Sequence, residues 1–206
     1  MNVDISSVDL NNDYFHFTNI KNVESILKEG LKPMVGDASK IINDRPNVSL
    51  SPGAKGIMGI INSFIFVIAN KKVSDIPEGF RKYFTEIDDF TSKKTVGKEI
   101  TCNAMKRKLE EEVYLRVNIS EDDIKAARDS AFLGFDINLP YGIDKSKIEL
   151  ITKDGNVMSA YDVCKYIYDK AKDIEVFRDM HGDFFYMMDR DNTQKEKNNV
   201  EKVVKE

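Results

Sequence analysis

Residues Tyr14–Pro33 read YFHFTNIKNVESILKEGLKP, and the reading of this stretch decides the fold. Tyr14-Phe15-His16-Phe17-Thr18 is aromatic and β-branched with a period of two, which predicts a strand. Phe15 and Phe17 then face one side, and Tyr14, His16 and Thr18 the other. After Asn19-Ile20-Lys21, Asn22 has the chemistry of an N-cap for a helix starting at Val23, because its side-chain oxygen can accept from a free first-turn N–H. Val23, Ile26 and Leu27 share one face of that helix. Gly30 is predicted to end it as a left-handed residue, and Pro33 prevents its resumption. One histidine therefore projects from a strand beside a helix start.

Working outward, Val35–Pro46 is rich in Gly, Asp, Ser and Asn and predicts a loop. A loop of this length leaves a functional role and an ordinary surface connection equally open. Asn47–Ser51 reads as a second short strand, stopped by Pro52-Gly53. Its alternation puts Ser49 and Ser51 on one face and sends Val48 and Leu50 to the core.

The order of a strand ending His-Phe-Thr, then Asn19, a helix with Ile26-Leu27, Gly30-Leu31, Pro33 and Gly36 resembles the opening of the ADP-ribosyltransferase fold. It is similar to the version that includes the poly-ADP-ribose polymerases and the RNA 2′-phosphotransferases, over residues 14–53. The resemblance implies an α+β domain with a split mixed or antiparallel sheet and flanking helices. It also implies NAD as substrate, with ADP-ribosyl transfer or NAD hydrolysis as the activity. His16 would hold the adenosine ribose and help orient the nicotinamide, with Thr18 and Asn19 binding the same ribose. Gly36 and Ser39 would border the cleft. Ser49 and Ser51 would shape the nicotinamide pocket, so that the chain joins the histidine of one branch to the serines of another and lacks the tyrosine that follows in some members.

The family also places a catalytic acid at the start of a strand, where it grips the nicotinamide ribose 2′-hydroxyl. Glu112 occupies such a position, ahead of the strand Val113–Ile119, whose Val113, Leu115, Val117 and Ile119 share one face. A carboxylate there stabilises the positive charge that develops as the glycosidic bond breaks. Read from the residues alone, Glu110–Glu112 after Lys106-Arg107-Lys108 is also a solvated helix end. Two rivals follow. One is a catalytically silent module that binds a nucleotide or a protein. The other is RNA 2′-phosphotransfer, which needs several arginines where only Arg45 lies near the matched segment.

Elsewhere, Gly56–Ala69 is apolar on most sides and leaves open a single buried helix or a helical turn followed by a strand at Ser63–Ile68. Phe80, Tyr83, Phe84 and Ile87 recur at three and four, which predicts a helix over Ile76–Phe90. Thr91–Gly97 predicts an exposed loop or hinge, and Ile100–Leu109 a helix. Ser120 with Asp123 predicts a capped helix start. Asp136 and Asn138 would share a face if their segment is a strand, which makes them secondary site candidates. Strand Ile148–Ile151 is followed by a turn over Lys153–Asn156. Met158–Ala171 is the clearest helix, with Tyr161, Cys164, Ile167, Tyr168 and Ala171 as its buried stripe. His181-Gly182-Asp183 reads as a tight turn. Met1–Asp13 reads as a lead-in, residues 1–188 as one domain and residues 189–206 as a charged tail.

The chain of 206 residues has a formal net charge of -4 with both signs interspersed, which gives no electrostatic case for broad nucleic-acid binding. Lys106-Arg107-Lys108 is the best basic patch, and its simpler reading is a solvated helix face. Two cysteines without a C-x-x-C pair, and no signal peptide, fit a reduced cytoplasmic setting. His16 and His181 lie apart from each other and from ligand-spaced partners, so no metal site is expected. Ile57–Ala69 is too short to span a bilayer, so no membrane partner is expected. The expected partners are NAD or a related nucleotide and, for a transferase, a protein acceptor. Short strands between helices, without regular alternation, argue α+β.

Overall fold

The computed structural model describes residues 1–35, 46–129, 135–171 and 182–203. Its elements in order are β1 (Asn2–Asp4), β2 (Tyr14–Asn19), α1 (Val23–Glu29), β3 (Val48–Pro52), α2 (Gly53–Ala69), α3 (Glu78–Arg81), α4 (Lys98–Glu111) and β4 (Glu112–Val117). They continue with α5 (Glu121–Ala126), β5 (Arg128–Asp129), β6 (Ile137–Leu139), β7 (Ile148–Lys153), β8 (Asn156–Val157), α6 (Ala160–Ala171) and α7 (Asp183–Val203). The strands lie in the order β1-β7-β4-β2-β3-β6-β5, with β8 paired to β7. Only β1 and β7 run parallel; the other pairs are antiparallel, so the α+β expectation holds with a mixed sheet.

β2 occupies the middle of this order because both of its faces can be covered. Phe15 is fully buried and packs with Tyr114, Ile57, Ile61 and Ile65 on the side covered by α2, α4, α6 and α7. Complete burial of a phenylalanine contributes about 1.5–3 kcal/mol. The other face of the sheet carries Val48, Leu50, Val113, Leu115, Val117 and Leu139, with α1 and the Leu31 and Ile143 strands of chain packed over them. A third cluster, built on Ile68, Ile76, Tyr83 and Phe84, extends the helical side.

The open choice at Gly56–Ala69 resolves as one helix. Tertiary burial outweighs its β-branched content, since Ile57, Ile61, Ile65 and Ile68 fall on one helical stripe against the core. The helix predicted over Ile76–Phe90 is reduced to Glu78–Arg81, which keeps Phe80, while Tyr83 and Phe84 are buried from the turns that follow. The lead-in is ordered as well. Val3 and Ile5 are buried, and β1 pairs with β7. α7 runs through residue 189, where Asp189 accepts from the Tyr168 hydroxyl. The turn at Asp154-Gly155 adopts positive φ at both residues, 51° and 80°, as a tight hairpin requires. Gly30 has φ 86° and ψ 177°, an extended region open to glycine and not the predicted left-handed helical one. A Cβ there would overlap the Ile143 carbonyl oxygen, so both conformation and close approach demand glycine. Among the described residues no helix is long and apolar enough to cross a membrane.

Candidate functional site

β2 and β3 pair only at Tyr14 with Pro52 and Phe15 with Ser51. Past Phe15 the two strands part. β2 stays with β4 along its whole length, while β3 pairs with β6. His16 is the first residue beyond the last pair, and its Nδ1 lies 3.0 Å from the Ser49 carbonyl oxygen. A carbonyl only accepts, so Nδ1 carries the hydrogen and Nε2 of the neutral ring is an acceptor. Burial lowers the imidazole pKa below its ordinary 6.5, with the Ser49 bond opposing that shift, so the ring is neutral at neutral pH. The side chain thus closes the split where the backbone ladder has stopped.

Ser49 connects this histidine to a carboxylate. Its hydroxyl donates to Asp136 Oδ2 at 2.5 Å, and Asn138 stands directly opposite it in the β3–β6 ladder. Three strands therefore contribute in series: His16 from β2, Ser49 from β3 and Asp136 from the entry to β6. All three side chains are half-buried. The secondary candidates Asp136 and Asn138 are brought to Ser49 because Ile137–Leu139 is a strand.

The other expected residues divide. Thr18 is buried, and its Oγ1 accepts from Asn22 Nδ2 at 3.3 Å. Asn22 makes no cap bond, contrary to expectation. Asn19 caps instead, accepting from the Lys21 N–H at 3.0 Å to start a single turn over Ile20–Asn22. A polar side chain already engaged this way is a structural residue first. Ser51 is buried opposite Phe15, on the side covered by α2. Gly36, Ser39, Arg45 and His181 lie outside the described residues.

Glu112 is not brought to His16. It stands opposite Asn19 at the start of β4, so alternation puts it on the face of Phe15, Phe17 and Tyr114. His16 stands opposite Leu115, on the other face. The Glu112 carboxylate pairs with Lys108 Nζ at 2.8 Å, and the two side chains are only 8% and 17% exposed. The same ammonium lies 5.0 Å from the Phe17 ring centroid and 5.6 Å from those of Phe80 and Tyr83. An amine so enclosed is held by cation–π attraction as well as by charge. The sequence carried a signal for this pair: Lys108 and Glu112 are four residues apart, the spacing of helical neighbours.

The basic triplet is not a solvated face either. Lys106 pairs with Asp191 at 2.5 Å and Arg107 with Glu86 at 2.6 Å, which lowers the Glu86 carboxyl to about 2. A cavity beside Cys102, Lys106 and Arg190 holds about 20 Å³, room for a water molecule and not for a ligand. Burial pushes the Cys102 thiol up to about 11 and the Cys164 thiol higher still, so neither is a ready nucleophile. Among the described residues no three His, Cys, Asp or Glu side chains gather to hold a metal ion. No family model, no curated protein and no solved structure matches this chain.

Proposed function

We propose that this chain is an ADP-ribosyltransferase-like module that binds NAD, or a closely related nucleotide, at the split between β2 and β3. One contact carries the reading: the His16 ring bridging the split to the Ser49 carbonyl oxygen. That bond fixes the tautomer and leaves Nε2 to accept from a sugar hydroxyl, the role the resemblance gives this histidine. A sheet that parts beside the histidine supports the same reading. Fold likeness alone would be a weak warrant, and the reading rests on the site.

Binding is the core of the proposal, and the silent-module reading is preferred to transfer or hydrolysis through Glu112. The observation that favours it is the Lys108–Glu112 pair, which neutralises the expected acid on the face away from His16. Transfer of ADP-ribose to a protein acceptor is the second reading. It needs a different carboxylate, and among the described residues Asp136 is one that the Ser49 hydroxyl bonds. RNA 2′-phosphotransfer is not supported, since Arg116 on the same sheet is engaged by Glu149 and Asp13.

A thermal-shift titration with NAD tests the binding, run on the wild type and on His16→Ala. A ligand that binds only the folded state raises the melting temperature with concentration. The expected result is a shift in the wild type that His16→Ala abolishes. No shift at millimolar NAD would sink the nucleotide reading. Nicotinamide release by the wild type that disappears in Glu112→Gln, without loss of folding, would restore Glu112 as the acid.

A further inference from the structure

Lys106, Arg107 and Lys108, the best basic patch of the sequence, each hold a carboxylate, and the fold gathers a different set of lysines. Beyond the C-terminus of α2, residues 70–75 and 92–97 form a short antiparallel ribbon. Lys72 stands opposite Thr95. The Val73 N–H donates to the Lys94 carbonyl at 2.9 Å and the Val96 N–H to the Lys71 carbonyl at 3.0 Å. Val73 and Val96 are buried in the cluster of Ile68, Ile76, Tyr83 and Phe84. One side of the ribbon therefore lies on the protein, and its long charged side chains extend into solvent. The two segments carry four lysines and one acid, Asp75, which takes the Ser74 hydroxyl. Lys72, Lys93 and Lys94 are exposed and Lys71 is half-buried. Among the described residues no carboxylate forms an ion pair with any of the four.

We propose that this ribbon is a docking surface for the phosphate backbone of a polynucleotide. Each ammonium that meets a phosphate releases a condensed counterion, and that exchange is the main source of sequence-independent binding. The two segments have no arginine to fork onto base edges and no aromatic ring to stack, so the surface reads charge and not sequence. Their only large apolar side chains, Val73 and Val96, are buried, so nothing there would insert into a bilayer. Phosphates need only the charge, which makes a polynucleotide the better-matched partner. α2 runs from β3 to the ribbon, and its 17 residues at about 1.5 Å each set the ribbon about 25 Å from the split. The surface is separate from His16 and stands whether or not NAD binds there.

The test is fluorescence anisotropy of a labelled DNA duplex of about 20 base pairs and arbitrary sequence, titrated with the full chain from about 50 to about 200 mM salt. Four phosphate contacts predict that the logarithm of affinity falls against that of salt with a slope of about −3.6. Replacing Lys71, Lys72, Lys93 and Lys94 together by Gln should weaken binding about ten-fold or more at the lowest salt and flatten the slope. Lys72→Gln with Lys93→Gln should remove about half of the slope. The control replaces Lys28, Lys55, Lys145 and Lys153, exposed lysines elsewhere on the protein, and should bind as the wild type does. Surface substitutions of this kind leave the melting temperature nearly unchanged, which checks that each variant is folded. No binding by the wild type at about 50 mM salt overturns the proposal. Equal losses in the two four-lysine variants overturn it too, because diffuse charge would then account for the binding. Ribbon-dependent binding to vesicles of phosphatidylserine and phosphatidylcholine, without binding to the duplex, overturns it as well and assigns the surface to a membrane.

Discussion

Two carboxylates near the middle of the sheet have opposite surroundings. At the junction of α4 and β4, Glu112 is buried against an ammonium that three aromatic rings enclose. Beside β3, Asp136 is half-buried and takes the Ser49 hydroxyl, and no cation among the described residues pairs with it. Charges on the helical side are also matched next door, Lys106 with Asp191 and Arg107 with Glu86. A buried charge with its partner in hand is part of the scaffold, because removing either member strands the other. A half-buried carboxylate that solvent reaches keeps acceptor capacity that water fills and a ligand's donor can replace. The difference separates an acid locked in an ion pair from one bonded by a neutral hydroxyl.

The largest effect should come from breaking the scaffold pair. Lys108→Ala leaves Glu112 buried and unpaired and is expected to lower stability by about 3–5 kcal/mol, read from the urea midpoint. A loss under about 1 kcal/mol would mean the pair is exchangeable and Glu112 free for chemistry. His16→Ala comes next. It orphans the Ser49 carbonyl and should reduce stability by about 1–2 kcal/mol in the same assay, besides abolishing NAD binding.

The His16 ring also predicts a pH dependence. Its folded-state pKa lies below 6.5, so as pH falls through that value the unfolded chain takes up a proton that the folded chain does not. Stability attributable to His16 is therefore complete well above 6.5 and declines toward the folded-state value. Urea midpoints of wild type and His16→Gln compared between pH 8 and pH 5 should diverge with that sign, the wild type losing more on acidification. Parallel profiles would mean that folding leaves the ring's pKa unchanged, and a divergence of the opposite sign would mean that the folded ring is held protonated with Nε2 a donor. The smallest effect sharpens the comparison from the other side: Asp136→Asn should change ligand-free stability by less than about 0.5 kcal/mol, because no ion pair among the described residues is lost. A cost near that of Lys108→Ala would make Asp136 scaffold too.

The parts of the molecule governed by near neighbours were legible in the residues. β2 with its alternation, β3 with Ser49 and Ser51 apart from Val48 and Leu50, the Ser120–Asp123 capping box and the buried stripe of α6 all follow from spacing within a few residues. What depends on a distant partner was not. A strand of three residues at Asn2–Asp4 has too little pattern to stand out, and it exists because β7 receives it. The aromatics of Phe80–Ile87 mimic a helix, yet turns bury them equally well against Ile68 and Ala104. At the site, His16 and Ser49 could be chosen from sequence, and Asp136 with Asn138 stood one rank lower. The face of Glu112 could not be known, because only the pairing of β4 with β2 sets which side it shares.

The parallel pairing of β1 with β7 has a consequence for the order of folding. Thr152 Oγ1 reaches the Val3 carbonyl across 149 positions of sequence at 3.2 Å. Contacts of such separation close a long loop and form slowly, after nearer pairings have reduced the entropy of the chain. During synthesis β1 must wait until β7 has left the ribosome, with Val3 and Ile5 exposed in the meantime. This edge is then the last seam of the sheet to close and the first expected to exchange its amide hydrogens, so the opposite ends of the strand order should differ in protection even though one sheet holds them both.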